Sequence, residues 1–139
     1  MTPRIFALTR TDRQRLETLL DSHFVEAMWD ERAHLSNLKE KLEAATVVDS
    51  REMLPDIVTM NSTVKLFDID RREAETFTLV YPEEACIAEG KLSILSPLGT
   101  EVLGRRVTER FSLQVLTVKT RKRVENISFQ PERSGVFGL

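Results

Sequence analysis

Residues able to do chemistry are few in this chain, and they do not converge. His23 and His34 stand eleven positions apart with no cysteine cluster beside them, whereas a zinc site needs three or four converging ligands. Cys86 sits among Glu83, Glu84 and Glu89, neighbours that disfavour a thiolate. No histidine in the second half can serve as its base. Asp68 and Asp70 lack the spacing of a calcium loop and read as turn residues. There is no Gly-rich phosphate loop. The expectation is no catalytic residue, no metal and no cofactor. What remains is binding chemistry. Asp21, Glu26, Asp30 and Glu31 gather around Met28 and Trp29. Ser96-Pro97-Leu98-Gly99 forms a second group. Lys119, Arg121, Lys122 and Arg123 form the densest basic run, with Arg105, Arg106 and Arg110 upstream. That run could hold phosphate or meet an acidic protein surface. No aromatic interleaves it for base stacking, and charge at a hairpin tip commonly serves solubility.

Composition bounds what these groups can serve. The chain has 139 residues, 41% hydrophobic and 30% charged, which suits a folded chain of one domain or two small units. A net charge of −2 excludes a nucleic-acid binder that works through a field over its whole surface. One cysteine forbids an intramolecular disulfide and fits a reducing compartment. No apolar run approaches the roughly 18 residues of a membrane span. The stretch Ile5 to Leu8 is too short for a signal segment. These features predict a cytoplasmic, soluble protein without a membrane partner.

The elements that must position these groups change character near residue 50. Thr11 and Gln14 have the form of a capping box. Leu16, Leu19, Leu20 and Phe24 follow as one helical stripe, and Leu35, Leu38, Leu42 and Ala45 as a heptad-like second. Between the stripes lie solvated faces carrying Arg13, Arg15, Glu17, Lys39, Glu40, Lys41 and Glu43. Neither helix can bury its stripe alone. The spacing predicts a short antiparallel helical hairpin, a coiled coil, over residues 1–49, turning within Ser22 to Asp30. Val47 to Pro55 reads as a connector.

From Ile57 the period becomes two, so residues 50–139 predict an antiparallel β-sheet domain and the fold class is α+β. Val64, Leu66 and Ile69 form one strand and Phe77, Leu79 and Tyr81 the next, joined at Asp70 to Arg72. Pro82 to Gly90 is a loop, and Leu92, Ile94 and Leu95 a short strand. Ser96 caps a short helix with Pro97 in its first turn and Gly104 at its end. Phe111 to Val118 and Val124 to Phe129 read as a hairpin turning across Lys119 to Arg123. Gln130 to Leu139 is a tail.

The order and the strings together carry a resemblance. Val58-Thr59-Met60-Asn61-Ser62, Thr78-Leu79-Val80-Tyr81-Pro82, Leu92-Ser93, Ser96-Pro97-Leu98-Gly99 and Leu103-Gly104 resemble the C-terminal domain of the bacterial GreA/GreB transcript-cleavage factors. Within that superfamily they look most like the Rnk type, regulators of nucleoside diphosphate kinase. The resemblance covers about residues 50 to 139; the first 46 match in architecture alone.

The resemblance implies an FKBP-like fold for the second half. It also implies docking on RNA polymerase, at the rim helices of the secondary channel, through Leu95, Ser96, Pro97, Leu98, Gly99 and Leu103. The hairpin tip, with Glu26, Trp29, Asp30 and Glu31, would point into the channel. In cleavage factors, acidic tip residues help hold a second Mg²⁺ in the polymerase active site. Hard carboxylate oxygens suit that ion, and two metals stabilise both attacking and leaving oxygens. This chain departs from that pattern. Its tip lacks the Asp, then Glu-Asn and an aromatic, and its helices reach only about 21 to 27 Å. Leu95 stands where many cleavage factors carry Asp before Ser-Pro. The reading is therefore a non-enzymatic, monomeric regulator that competes with cleavage factors at the polymerase and meets nucleic acid only through it. Its effect on nucleoside diphosphate kinase would be indirect. The alternatives are a divergent cleavage factor and an RNA-binding module that uses the basic run. A prolyl isomerase is suggested by fold alone.

Overall fold

The computed structural model describes residues 7–21, 32–115 and 117–136. Strand β1 (Ala7–Thr9) runs directly into helix α1 (Arg10–Leu20), and helix α2 (Arg32–Ala44) leads into strand β2 (Thr46–Val48). The two strands pair in parallel, Ala7 with Thr46 and Thr9 with Val48. Part of the expected connector is therefore a strand. Three residues are too few to show a period, and a partner nearly forty positions away leaves no local signal.

The helix cap also lies earlier than expected. Thr9, in extended conformation, accepts the Asp12 backbone N–H at 3.0 Å through its side-chain oxygen, while Thr11 and Gln14 lie inside α1. Both threonines are competent caps. The pairing of β1 holds Thr9 extended and decides between them. The helical stripes are as expected where they are described. Leu16, Leu38 and Leu42 are buried, and Leu19, Leu20 and Ala45 pack beside them.

The second half is a curled five-stranded sheet in the order β5-β4-β3-β7-β6. Its strands are β3 (Thr63–Asp68), β4 (Glu73–Val80), β5 (Lys91–Ser93), β6 (Arg110–Val115) and β7 (Val118–Phe129). All neighbours are antiparallel except β4 and β5. Register shifts between β3 and β7, at Thr63/Val64 and Lys65/Leu66, mark bulges that bend the sheet. The β3–β4 turn falls where expected: the Asp68 carboxylate accepts the Asp70 and Arg71 N–H groups, each at 3.0 Å. The β6–β7 turn does not. β7 begins at Val118 and pairs Lys119 with Gln114, so the basic run is a strand interior rather than a tip. Helix α3 (Pro97–Val102) crosses between β5 and β6. Ile94 and Leu95, expected in β5, lie beyond it and are buried.

One apolar core joins both halves. Leu8, Leu16, Leu38 and Leu42 from the first meet Val58, Met60, Leu79, Ile94 and Leu103 from the second. The expected tail is tied down as well. Gln130 is fully buried and donates through its amide to the carbonyls of Leu54 (2.8 Å) and Ile57 (2.7 Å). Among the described residues no helix is long and apolar enough to cross a membrane.

Candidate partner-docking corner

The Ser96-Pro97 corner is built by backbone demands. The Ser96 hydroxyl donates to the Ser93 carbonyl at 2.6 Å and accepts the Gly99 N–H at 3.1 Å. It thereby closes the β5 exit and caps α3 together. Pro97 occupies the first helical turn, where a missing N–H costs nothing. Gly99 is fixed by contact: a Cβ there would lie 2.1 Å from the Ser93 oxygen. Thr100 donates its hydroxyl to the Ile94 carbonyl at 2.8 Å.

This geometry sorts the six residues expected to dock. Ser96, Pro97 and Leu98 are half-buried and reachable. Leu95 and Leu103 are 3% and 0% exposed, and Gly99 is buried. These three form the floor of the corner and no surface a partner could touch. Sequence spacing reports which residues are apolar, but in so short a helix it does not tell the inward from the outward ones.

Two charged groups brace the same helix. The Lys41 ammonium, on α2, donates to the carbonyls of Thr100 (2.7 Å), Glu101 (3.1 Å) and Leu103 (3.3 Å). These carbonyls lie at the end of α3, where a cation is favoured, and the Glu101 carbonyl accepts from Arg105 Nε as well, at 2.8 Å. Lys41 was expected on a solvated face; instead it locks the first half onto the docking corner. Arg105 likewise leaves the expected basic patch. It is buried between Glu101 (2.8 Å) and Glu109 (2.9 Å) and lies over the Phe111 ring at 4.7 Å.

The Val58-to-Ser62 string has a structural account. Asn61 adopts a left-handed φ of 65°, a conformation that asparagine tolerates better than most residues. Its N–H reaches the Leu79 carbonyl at 2.6 Å, and Leu79 returns an N–H to Ser62 at 3.0 Å. Thr59 donates its N–H to the Ser62 hydroxyl at 2.9 Å and its own hydroxyl to the Glu132 carboxylate. The Met60 N–H would be orphaned in the core, and the Asp12 carboxylate of α1 accepts it at 3.2 Å. Asp12 is 3% exposed. Burial first, then the Glu132 charge, push its carboxyl up to about 7, against the lowering effect of Met60, Thr9 and Arg15. Burial also raises Glu132. Tyr81 closes this joint. Burial, then Asp12, pushes its phenol well above the usual range, and the Arg15 guanidinium lies 6.0 Å from its ring centroid.

The acidic tip expected at Glu26, Trp29, Asp30 and Glu31 lies outside the described residues, as do His23, Phe24 and Met28. Among the described residues no group of three or more His, Cys, Asp or Glu is placed to hold a metal ion.

A family model described as "Transcription elongation factor, GreA/GreB, C-term" matches residues 53–129, more than half of the chain and all of the corner. The chain belongs to this family. The GreA/GreB-family chain is 34% identical over 103 residues to the regulator of nucleoside diphosphate kinase of Escherichia coli, covering 73% of this chain and 76% of that one. It is 38% identical over 95 residues to the transcription elongation factor GreA of Chloroherpeton thalassium, covering 68% of this chain but 60% of that protein's length. Among solved structures, the GreA/GreB elongation factor from Nitrosomonas europaea superposes with a TM-score of 0.75 at 30% identity, over 89% of this chain and 99% of that one.

Proposed function

We propose that this GreA/GreB-family chain is an RNA polymerase-binding transcription regulator of the Rnk type. In this reading residues 50–139 form an FKBP-like domain that docks at the secondary-channel rim through Ser96, Pro97 and Leu98. Residues 1–49 form a short coiled-coil hairpin that occupies the channel entrance. The protein acts as a cytoplasmic monomer. It competes with cleavage factors without donating catalytic carboxylates, and any effect on nucleoside diphosphate kinase passes through transcription.

The observation that carries the reading is the pair of relatives. The match to the nucleoside diphosphate kinase regulator spans three quarters of that protein, whereas the match to GreA leaves two fifths of its length unmatched. The corner supports it: a serine-capped turn braced by Lys41 leaves Pro97 and one edge of Leu98, which also packs against the core, within reach of a partner. A preorganised apolar contact of this kind loses little entropy on binding.

The test is competition on purified core RNA polymerase against a labelled GreA-type factor. Displacement by the wild-type chain, lost in the Pro97→Ala, Leu98→Glu double variant, is the expected result. Binding without displacement would move the site to another polymerase surface. Shortening of the transcript in stalled complexes would instead make the chain a cleavage factor.

A further inference from the structure

The two faces of the five-stranded sheet differ in kind. Val64, Leu66, Phe111 and Val124 face the core. The opposite face is set by register. Arg123 pairs with Arg110 on one side and Phe67 on the other, Lys119 with Gln114, and Lys65 with Asn126 and Thr76. Lys65, Arg110, Lys119, Gln114, Thr76 and Asn126 are all exposed, so nothing in the described chain covers this face. Lys122, from the same run, turns inward to Asp68 at 3.8 Å.

The outward face thus carries five cations: Lys65, Arg110, Lys119, Arg121 and Arg123. Two carboxylates meet them, Asp70 on Arg121 at 2.7 Å and Glu125 on Arg123. The chain as a whole is net −2, so this face reverses the sign locally. An aromatic is also present, which the basic run taken alone does not reveal: the Arg123 guanidinium lies over the Phe67 ring, 5.0 Å from its centroid. Phe67 is fifty-six positions away in sequence and becomes a neighbour through the β3–β7 ladder.

We propose that this open sheet face binds single-stranded RNA, its phosphates on Lys65, Arg110 and Lys119 and a base stacked on the Arg123–Phe67 pair. Strands about 4.8 Å apart present these groups as a flat lattice that an extended, unpaired strand can cross. Planar guanidinium and aromatic surfaces stack any base. Thr76 and Asn126 offer hydroxyl and amide groups to base edges between the cations. An acidic protein would use the cations but gain nothing from the stacked pair or the neutral polar groups. The face is separate from the Ser96 corner, and RNA binding there stands or falls without polymerase.

The experiment is fluorescence anisotropy of a labelled, mixed-sequence single-stranded RNA titrated with the full chain across a salt series. Three unneutralised cations predict a slope of log K against log salt of about −2. Lys119→Gln should shallow that slope by about 0.7, and Arg110→Glu with Lys119→Glu should abolish binding while leaving the far-ultraviolet circular dichroism unchanged. Phe67→Leu, which keeps the charges, should weaken RNA more than it weakens a polyglutamate peptide. Lys39→Glu, on exposed α2 surface, should change nothing. Absence of binding at low salt overturns the proposal. Equal affinity for polyglutamate, untouched by Phe67→Leu, also overturns it and assigns the face to an acidic protein.

Discussion

At the scale of single residues, the corner separates folding from docking. Gly99 cannot carry a side chain, because a Cβ would meet the Ser93 carbonyl oxygen at 2.1 Å. Gly99→Ala should therefore cost about 3 kcal/mol by overpacking, seen as a lower urea midpoint. Ser96→Ala removes one cap and should cost about 1 kcal/mol. Neither variant tests the proposed polymerase contact, for which the half-buried Pro97 and Leu98 are the ones to change. Asp12 makes a different prediction. Its folded pKa, about 7, lies above the ordinary value of 3.8, so the native state holds a proton that the unfolded chain has lost. The Asp12 contribution to stability is then fully present below about pH 4, falls as pH rises towards 7 and is lost beyond it. A shift of about three units bounds the loss at about 4 kcal/mol. Asp12→Asn keeps an acceptor for the Met60 N–H and removes the charge. Urea midpoints measured across that pH range should show its slope flattened relative to wild type, and an unchanged slope would assign the dependence to Glu132.

At the scale of elements, long periodic segments were legible and short or remotely paired ones were not. Leu16, Leu38 and Leu42 sit buried where helical spacing puts them, and the turn at Asp70 to Arg72 falls where its residue types point. β1 and β2 escaped because each is three residues long and pairs only with the other. The basic run was misplaced because Lys119 to Arg123 has turn-like polarity. Only the register against β6 reveals that Lys122 points in while Lys119, Arg121 and Arg123 point out. The serine-proline corner was legible as a helix start, but its brace was not, since Lys41 has the appearance of any lysine on a charged helix face. That brace is testable. Lys41→Met keeps the aliphatic stem and removes this donor from the Thr100 and Leu103 carbonyls, while the Glu101 carbonyl keeps the Arg105 Nε–H at 2.8 Å. The loss should be about 1.5 to 3 kcal/mol, the range for hydrogen bonds to charged groups. Hydrogen exchange should accelerate at the Thr100 and Leu103 amides before it does so in β3.

At the scale of the molecule, the question is whether helices and sheet form one mechanical unit. Leu8, Leu16, Leu38 and Leu42 share a core with Val58, Met60, Leu79 and Leu103. Asp12 reaches across to Met60, and Lys41 to α3. Helices held at three kinds of contact cannot swing freely, so under the proposed docking the orientation of the corner would set the direction of α1 and α2. Unfolding should report the same coupling. Leu38→Ala removes a fully buried side chain from α2 and should cost about 2 to 5 kcal/mol. In one cooperative unit that loss appears equally in the slowest-exchanging amides of β3 and β7, far from the substitution. In two independent units, sheet protection would stay at its wild-type value while the helices alone exchanged faster. The continuous core predicts the first outcome. If it holds, the proposed docking predicts that variants that loosen Lys41 or Asp12 retain polymerase affinity yet lose competition with cleavage factors, because the corner would dock without aiming the helices.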